Sequence, residues 1–107
     1  MNILFLGDIV GDTGCISVKE NLPNIIKDKS IDFVVANGEN AAKEGVGITE
    51  NITNELLNSG VDVITTGNHV WDQKETYDFI SKQNRLLRPL NILNNSPGKG
   101  FDIYNSR

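Results

Sequence analysis

Three short apolar runs recur along the chain, and each breaks into a polar cluster. The runs are Asn2 to Leu6, Ile31 to Ala36 and Val61 to Thr66, the last β-branched at Val61, Val63, Ile64, Thr65 and Thr66. Runs this short and this continuously apolar predict strands covered on both faces, and hence a parallel sheet. Helical spacing appears between them. Val18, Leu22, Ile25 and Ile26 fall on one helical face, although Pro23 lies inside the pattern and predicts a kink or a second start. Ile52, Leu56 and Leu57 mark a second helix, with Gly60 as its stop. A third begins near Asp72, where Asp72-Gln73-Lys74-Glu75 has capping-box spacing before Thr76, Phe79 and Ile80.

Beyond Gln83 the pattern weakens. Leu86 to Leu90 reads as a short edge strand, because Pro89 argues against a central one. Residues 91–100 read as a loop rich in Asn, Pro and Gly, and Phe101 to Tyr104 as a further strand-like run. The fold class is therefore α/β, a parallel-type βαβαβα sheet layer within one domain, residues 1–107.

Ligands of such sheets gather at the carboxyl ends of the strands. All three polar clusters lie there: Gly7-Asp8-Ile9-Val10-Gly11-Asp12, Asn37-Gly38-Glu39-Asn40-Ala41-Ala42 and Gly67-Asn68-His69-Val70-Trp71-Asp72. The third holds the sole histidine and the sole tryptophan of the chain. Asp8, Glu39, Asn40 and Asn68 offer hard oxygen ligands of the kind that suit Mn, Fe, Mg or Zn. A carboxylate can bridge two metal ions about 3.5–4 Å apart, clamping a phosphate and acidifying a bound water. His69 beside them could protonate a leaving oxygen. Singly, each residue has a plainer reading: Asp8 as a turn residue, Glu39-Asn40 as a solvated loop, Trp71 as a packing anchor, Asp72 as a helix cap. Convergence at three successive strand ends favours a site.

Composition narrows the chemistry. The formal net charge is −4, with no run of lysine or arginine, so no groove for long nucleic acid is expected. No apolar stretch approaches the roughly 20 residues of a membrane span, and no export signal is visible. Cys15 is the lone cysteine and reads as a small buried residue, which with the missing export signal points to the cytoplasm. A rival reading takes Gly7-x-x-x-Gly11-x-x-Gly14 as a nucleotide-binding loop with Glu39 on a ribose. Its spacing is not G-x-G-x-x-G, and Asp8 would face the pyrophosphate.

The motifs Gly7-Asp8-Ile9-Val10-Gly11, Asn37-Gly38-Glu39-Asn40-Ala41-Ala42 and Thr65-Thr66-Gly67-Asn68-His69-Val70-Trp71-Asp72 resemble those of the YmdB-like bacterial metallophosphoesterases, calcineurin-like phosphodiesterases. Leu87-Arg88-Pro89 and Pro97-Gly98-Lys99-Gly100 extend the resemblance over the whole chain. It implies the first part of a calcineurin-like αββα sandwich, two divalent metal ions (iron, with manganese as the alternative) and hydrolysis of small cyclic nucleotide phosphodiesters. By position, Asp8 and Asn40 would bind the first metal, Asn68 the second, Glu39 would bridge both, and His69 would donate the proton. The family also draws three histidine ligands from later glycine- and histidine-rich motifs. These 107 residues contain none of them, so the chain reads as the amino-terminal portion of the family domain with impaired or no activity. The alternative is a non-catalytic nucleotide-binding or half-domain module that associates with a partner through an exposed face.

Overall fold

The computed structural model describes all 107 residues. Strand β1 (Ile3–Leu6) leads into helix α1 (Gly11–Asp28), strand β2 (Phe33–Asn37), helix α2 (Glu50–Asn58), strand β3 (Val63–Thr65) and helix α3 (Lys74–Phe79), which a 3₁₀ turn (Ile80–Lys82) follows. The three strands form one parallel sheet in the order β1-β2-β3. Ile3 pairs with Phe33 and Leu6 with Ala36; Val35 pairs with Val63 and Asn37 with Thr65. The expected βαβαβα layer is the observed one. Each strand is shorter than or shifted from its apolar run by one or two residues.

Connections between neighbouring parallel strands are right-handed. Two such crossovers in the order 1-2-3 place α1 and α2 on the same face of the sheet, where they touch. The core lies beneath them: Val34, Ala36 and Ile64 of the sheet meet Leu22 of α1 and Leu56 of α2, with Leu4 and Leu6 packed against the cluster. The strand period of two turns Ile3 and Phe5 to the opposite face. No helix covers that face, and the two side chains are 54% and 73% exposed. Over this part of the sheet the Tyr104 ring stands 6.2 Å from that of Phe33.

Helix α1 runs unbroken through Pro23, so no second helix starts there. Pro23 sits on the exposed side of α1, so the Lys19 carbonyl it deprives of a donor can turn to water. Helix α2 is capped by Thr49, whose hydroxyl accepts from the Ile52 N–H at 3.2 Å. It stops at Gly60 as expected: φ there is +119°, and a Cβ would lie 2.7 Å from Ile26 Cδ1.

The segment after α3 returns to the sheet beside β3. In place of the edge strand expected over Leu86 to Leu90 there are two isolated parallel bridges, Leu86 to Ile64 and Leu87 to Lys99. The strand-like run expected at Phe101 to Tyr104 is not a strand, and Phe101 and Ile103 are both strongly exposed. No helix is long and apolar enough to cross a membrane.

Candidate metal centre at the strand ends

The loops leaving β1, β2 and β3 meet through backbone hydrogen bonds. Ile9 N–H donates to the Asn37 carbonyl (3.0 Å), Gly11 N–H to the Asn40 carbonyl (2.9 Å) and Gly38 N–H to the Thr65 carbonyl (2.9 Å). Thr66 Oγ1 donates to the Leu87 carbonyl at 2.6 Å, tying the edge segment to the third loop. Asp8 takes a φ of +24°, uncommon for a residue with a Cβ and tolerated best by Asp and Asn.

On this frame four of the five predicted site residues form one network. Asn40 Nδ2 donates to Asp8 Oδ1 at 2.8 Å. Asn40 Oδ1 lies 2.6 Å from His69 Nδ1. The His69 backbone N–H donates to Glu39 Oε2 at 3.2 Å, and the His69 ring stands 3.9 Å from the same oxygen. Asn68 lies on the same turn as His69, exposed, and its side chain stays outside the network. Trp71 packs partly against the core and edge-on to Tyr77, as a packing anchor does. Asp72 does not cap α3. Gln73 occupies the cap position, the Asp72 N–H turns back to the His69 carbonyl, and Glu75 accepts from the Glu50 N–H instead.

Gly67 provides the floor of the site. A Cβ there would lie 2.3 Å from Glu39 Oε1, so only glycine leaves the carboxylate its place. The Glu39 side chain is 16% exposed, and neither lysine nor arginine pairs with it. A largely buried carboxylate without a fixed cation suits a metal ion. The donors fit a metal in kind, being hard oxygens from Asp8, Glu39, Asn40 and Asn68. They fall short in number, since no three His, Cys, Asp or Glu side chains converge on one point. Asn37 joins the site without having been foreseen as a participant: its Nδ2 donates to Glu39 Oε1 at 3.3 Å. The turn that follows β2 folds Glu39 back beside it, a contact for which the sequence holds no signal.

Helix α1 offers little to an anion, against the glycine-loop reading. The N–H of Gly11 is taken by the Asn40 carbonyl and the N–H of Gly14 by Val10, and the Asp8 carboxylate accepts from Asn40 in the loop before the helix.

Comparison with known proteins agrees with the motifs. The chain is 49% identical over 101 residues to the 2′,3′-cyclic-nucleotide 2′-phosphodiesterase of Bacillus subtilis (strain 168), a match covering 94% of this chain and 38% of that protein. Its fold matches the crystal structure of a hypothetical protein from Thermus thermophilus with a TM-score of 0.84 at 42% identity, over 94% of this chain and 38% of the other. A novel phosphatase from Mycoplasma pneumoniae gives a TM-score of 0.83 at 32% identity, over 95% and 38%. The chain thus spans about two fifths of the length of these relatives. The model of the YmdB-like protein family matches residues 4–107, and the chain belongs to that family.

Proposed function

We propose that these residues carry one half of a two-metal phosphodiesterase centre acting on small cyclic nucleotides. The observation that carries the reading is the unbroken Asp8–Asn40–His69–Glu39 network at three parallel strand ends. Asp8 and Asn40 would hold one divalent ion, Asn68 the second, and Glu39 would bridge the two. Asn40 Oδ1 accepts from one donor and keeps a lone pair free for this. Iron is the metal we favour, with manganese as the alternative. Bound there, such ions supply Lewis acidity at a phosphate oxygen and lower the pKa of an attacking water. The chain's own residues orient the reaction. The His69 ring is anchored through Nδ1; in its imidazolium form its Nε2 would donate the proton to the leaving oxygen. Gly67 and the His69 N–H hold Glu39 still.

With four candidate ligands and one histidine, the 107-residue chain should bind metal weakly and turn over little or no substrate, because affinity follows ligand number and geometry. Loading it with iron or manganese and assaying bis(p-nitrophenyl) phosphate and a 2′,3′-cyclic nucleotide tests this. Robust hydrolysis that His69→Ala abolishes would overturn the inactive half-site. A free buried thiol agrees with a cytoplasmic setting.

A second reading draws on the uncovered sheet face with Ile3 and Phe5. An apolar face of this kind favours association with a partner surface, and the chain would then act as a half-domain module. Light scattering discriminates, since a compact monomer over a wide concentration range counts against it.

A further inference from the structure

Glu39 is fixed at three points. Two are backbone features, the His69 N–H on Oε2 and the bare Cα of Gly67 beneath the carboxylate. The third is a side chain, Asn37 Nδ2, which donates to Oε1 at 3.3 Å. Asn37 is itself immobilised. It is the last residue of β2, half-buried and in register with Thr65, and its carbonyl accepts from Ile9 in the loop that carries Asp8.

The chemistry of the donor matters. A lysine or arginine at this place would orient the carboxylate and also neutralise it. A neutral amide orients it and leaves its full charge for a cation. With one donor on each oxygen, both oxygens keep a lone pair. We infer that Asn37 is a positioning residue for Glu39, setting the carboxylate plane so that both oxygens can face metal ions. The inference rests on the metal-centre reading above.

A double-variant cycle tests it, with Mn²⁺ as the probe and electron paramagnetic resonance reporting free ion. The chains compared are the wild type, Asn37→Val, Glu39→Gln and the double variant, each checked for folding by circular dichroism. Valine suits a strand and removes the side-chain amide. Asn37→Ala serves if valine disturbs the fold. Asn37→Val should weaken Mn²⁺ binding about tenfold when Glu39 is present, and leave it unchanged once Glu39→Gln is in place. Equal losses in both backgrounds, or no loss at all, overturn the positioning role and spare the metal centre. A wild type that binds Mn²⁺ no better than Glu39→Gln overturns both.

Discussion

His69 Nδ1 and Asn40 Oδ1 lie 2.6 Å apart, and the pair fixes which ring nitrogen carries the proton. Asn40 turns its Nδ2 to the Asp8 carboxylate, which can only accept. Its oxygen therefore faces the ring, and Nδ1 must donate. The neutral imidazole is held as the Nδ1–H tautomer, with Nε2 free. Long-range ¹⁵N spectra should show that tautomer in the wild type. Asn40→Ala should release it to a mixture of tautomers, and an unchanged spectrum would mean that the bond does not hold the ring.

Gly67→Ala is expected to harm the site by crowding alone, since nothing about its backbone demands glycine. The added methyl would meet both oxygens and Cδ of Glu39 within 2.8 Å. Either the turn shifts, at about 1–3 kcal/mol of stability, or Glu39 swings away. Both outcomes cost Mn²⁺ affinity, so calorimetric titration should record a clear loss. Gly7→Ala is the control, because a Cβ there meets nothing within 4 Å.

The sheet and the network were legible in the sequence for one reason. Apolar runs of five or six residues are buried most readily as strands covered by crossover helices, and parallel strands bring their polar ends together. What escaped depends on contacts between distant segments. Asp72 and Glu75 have the spacing of a capping box, but the turn at His69 claims the Asp72 N–H and α2 claims the Glu75 carboxylate. Gln73 is drawn off to Glu44 Oε2 and the Val46 carbonyl. Pro23 reads as a break because local rules cannot tell an exposed proline from a buried one. Phe101 and Ile103 alternate like a strand, yet no neighbouring strand pairs with them.

Leu56 tests the core beneath the helices. It is 1% exposed and belongs to the cluster that joins α2 to the sheet. Leu56→Ala should cost about 2–5 kcal/mol. In a chain of this size such a loss is a large fraction of the total stability, so the urea midpoint should fall sharply. Leu90→Ala, at an exposed position, should leave it almost unchanged.

Asp62 and Arg107 form an ion pair at 2.8 Å whose two halves are unequal. Arg107 is partly exposed and also reaches the Gly60 and Asp32 carbonyls. Asp62 is more enclosed, and its Oδ2 accepts the Val34 N–H of β2 at 2.8 Å as well. Arg107→Ala should therefore cost about 0–1 kcal/mol. Asp62→Ala leaves the strand N–H without its acceptor and should cost about 1–3 kcal/mol. Equal denaturation midpoints for the two variants would show that the strand bond contributes nothing.

Cys15 sets a pH dependence at the alkaline end. Burial pushes its thiol pKa up, the Glu55 and Asp12 carboxylates add to the shift, and Lys19 opposes it. Its Sγ donates to the Ala41 carbonyl at 3.4 Å, a contact that also needs the proton. The folded chain therefore keeps this proton to higher pH than the unfolded chain does. Above the unfolded thiol's pKa the unfolded state binds fewer protons, so stability falls as pH rises towards the folded pKa. Below the unfolded pKa the contribution is fully present. Cys15→Ala removes this dependence and leaves every other titrating group in place. Urea midpoints measured between about pH 8 and about pH 10 should fall more steeply for the wild type than for Cys15→Ala. Parallel curves would mean that the thiol titrates alike in both states and that its burial carries no proton linkage.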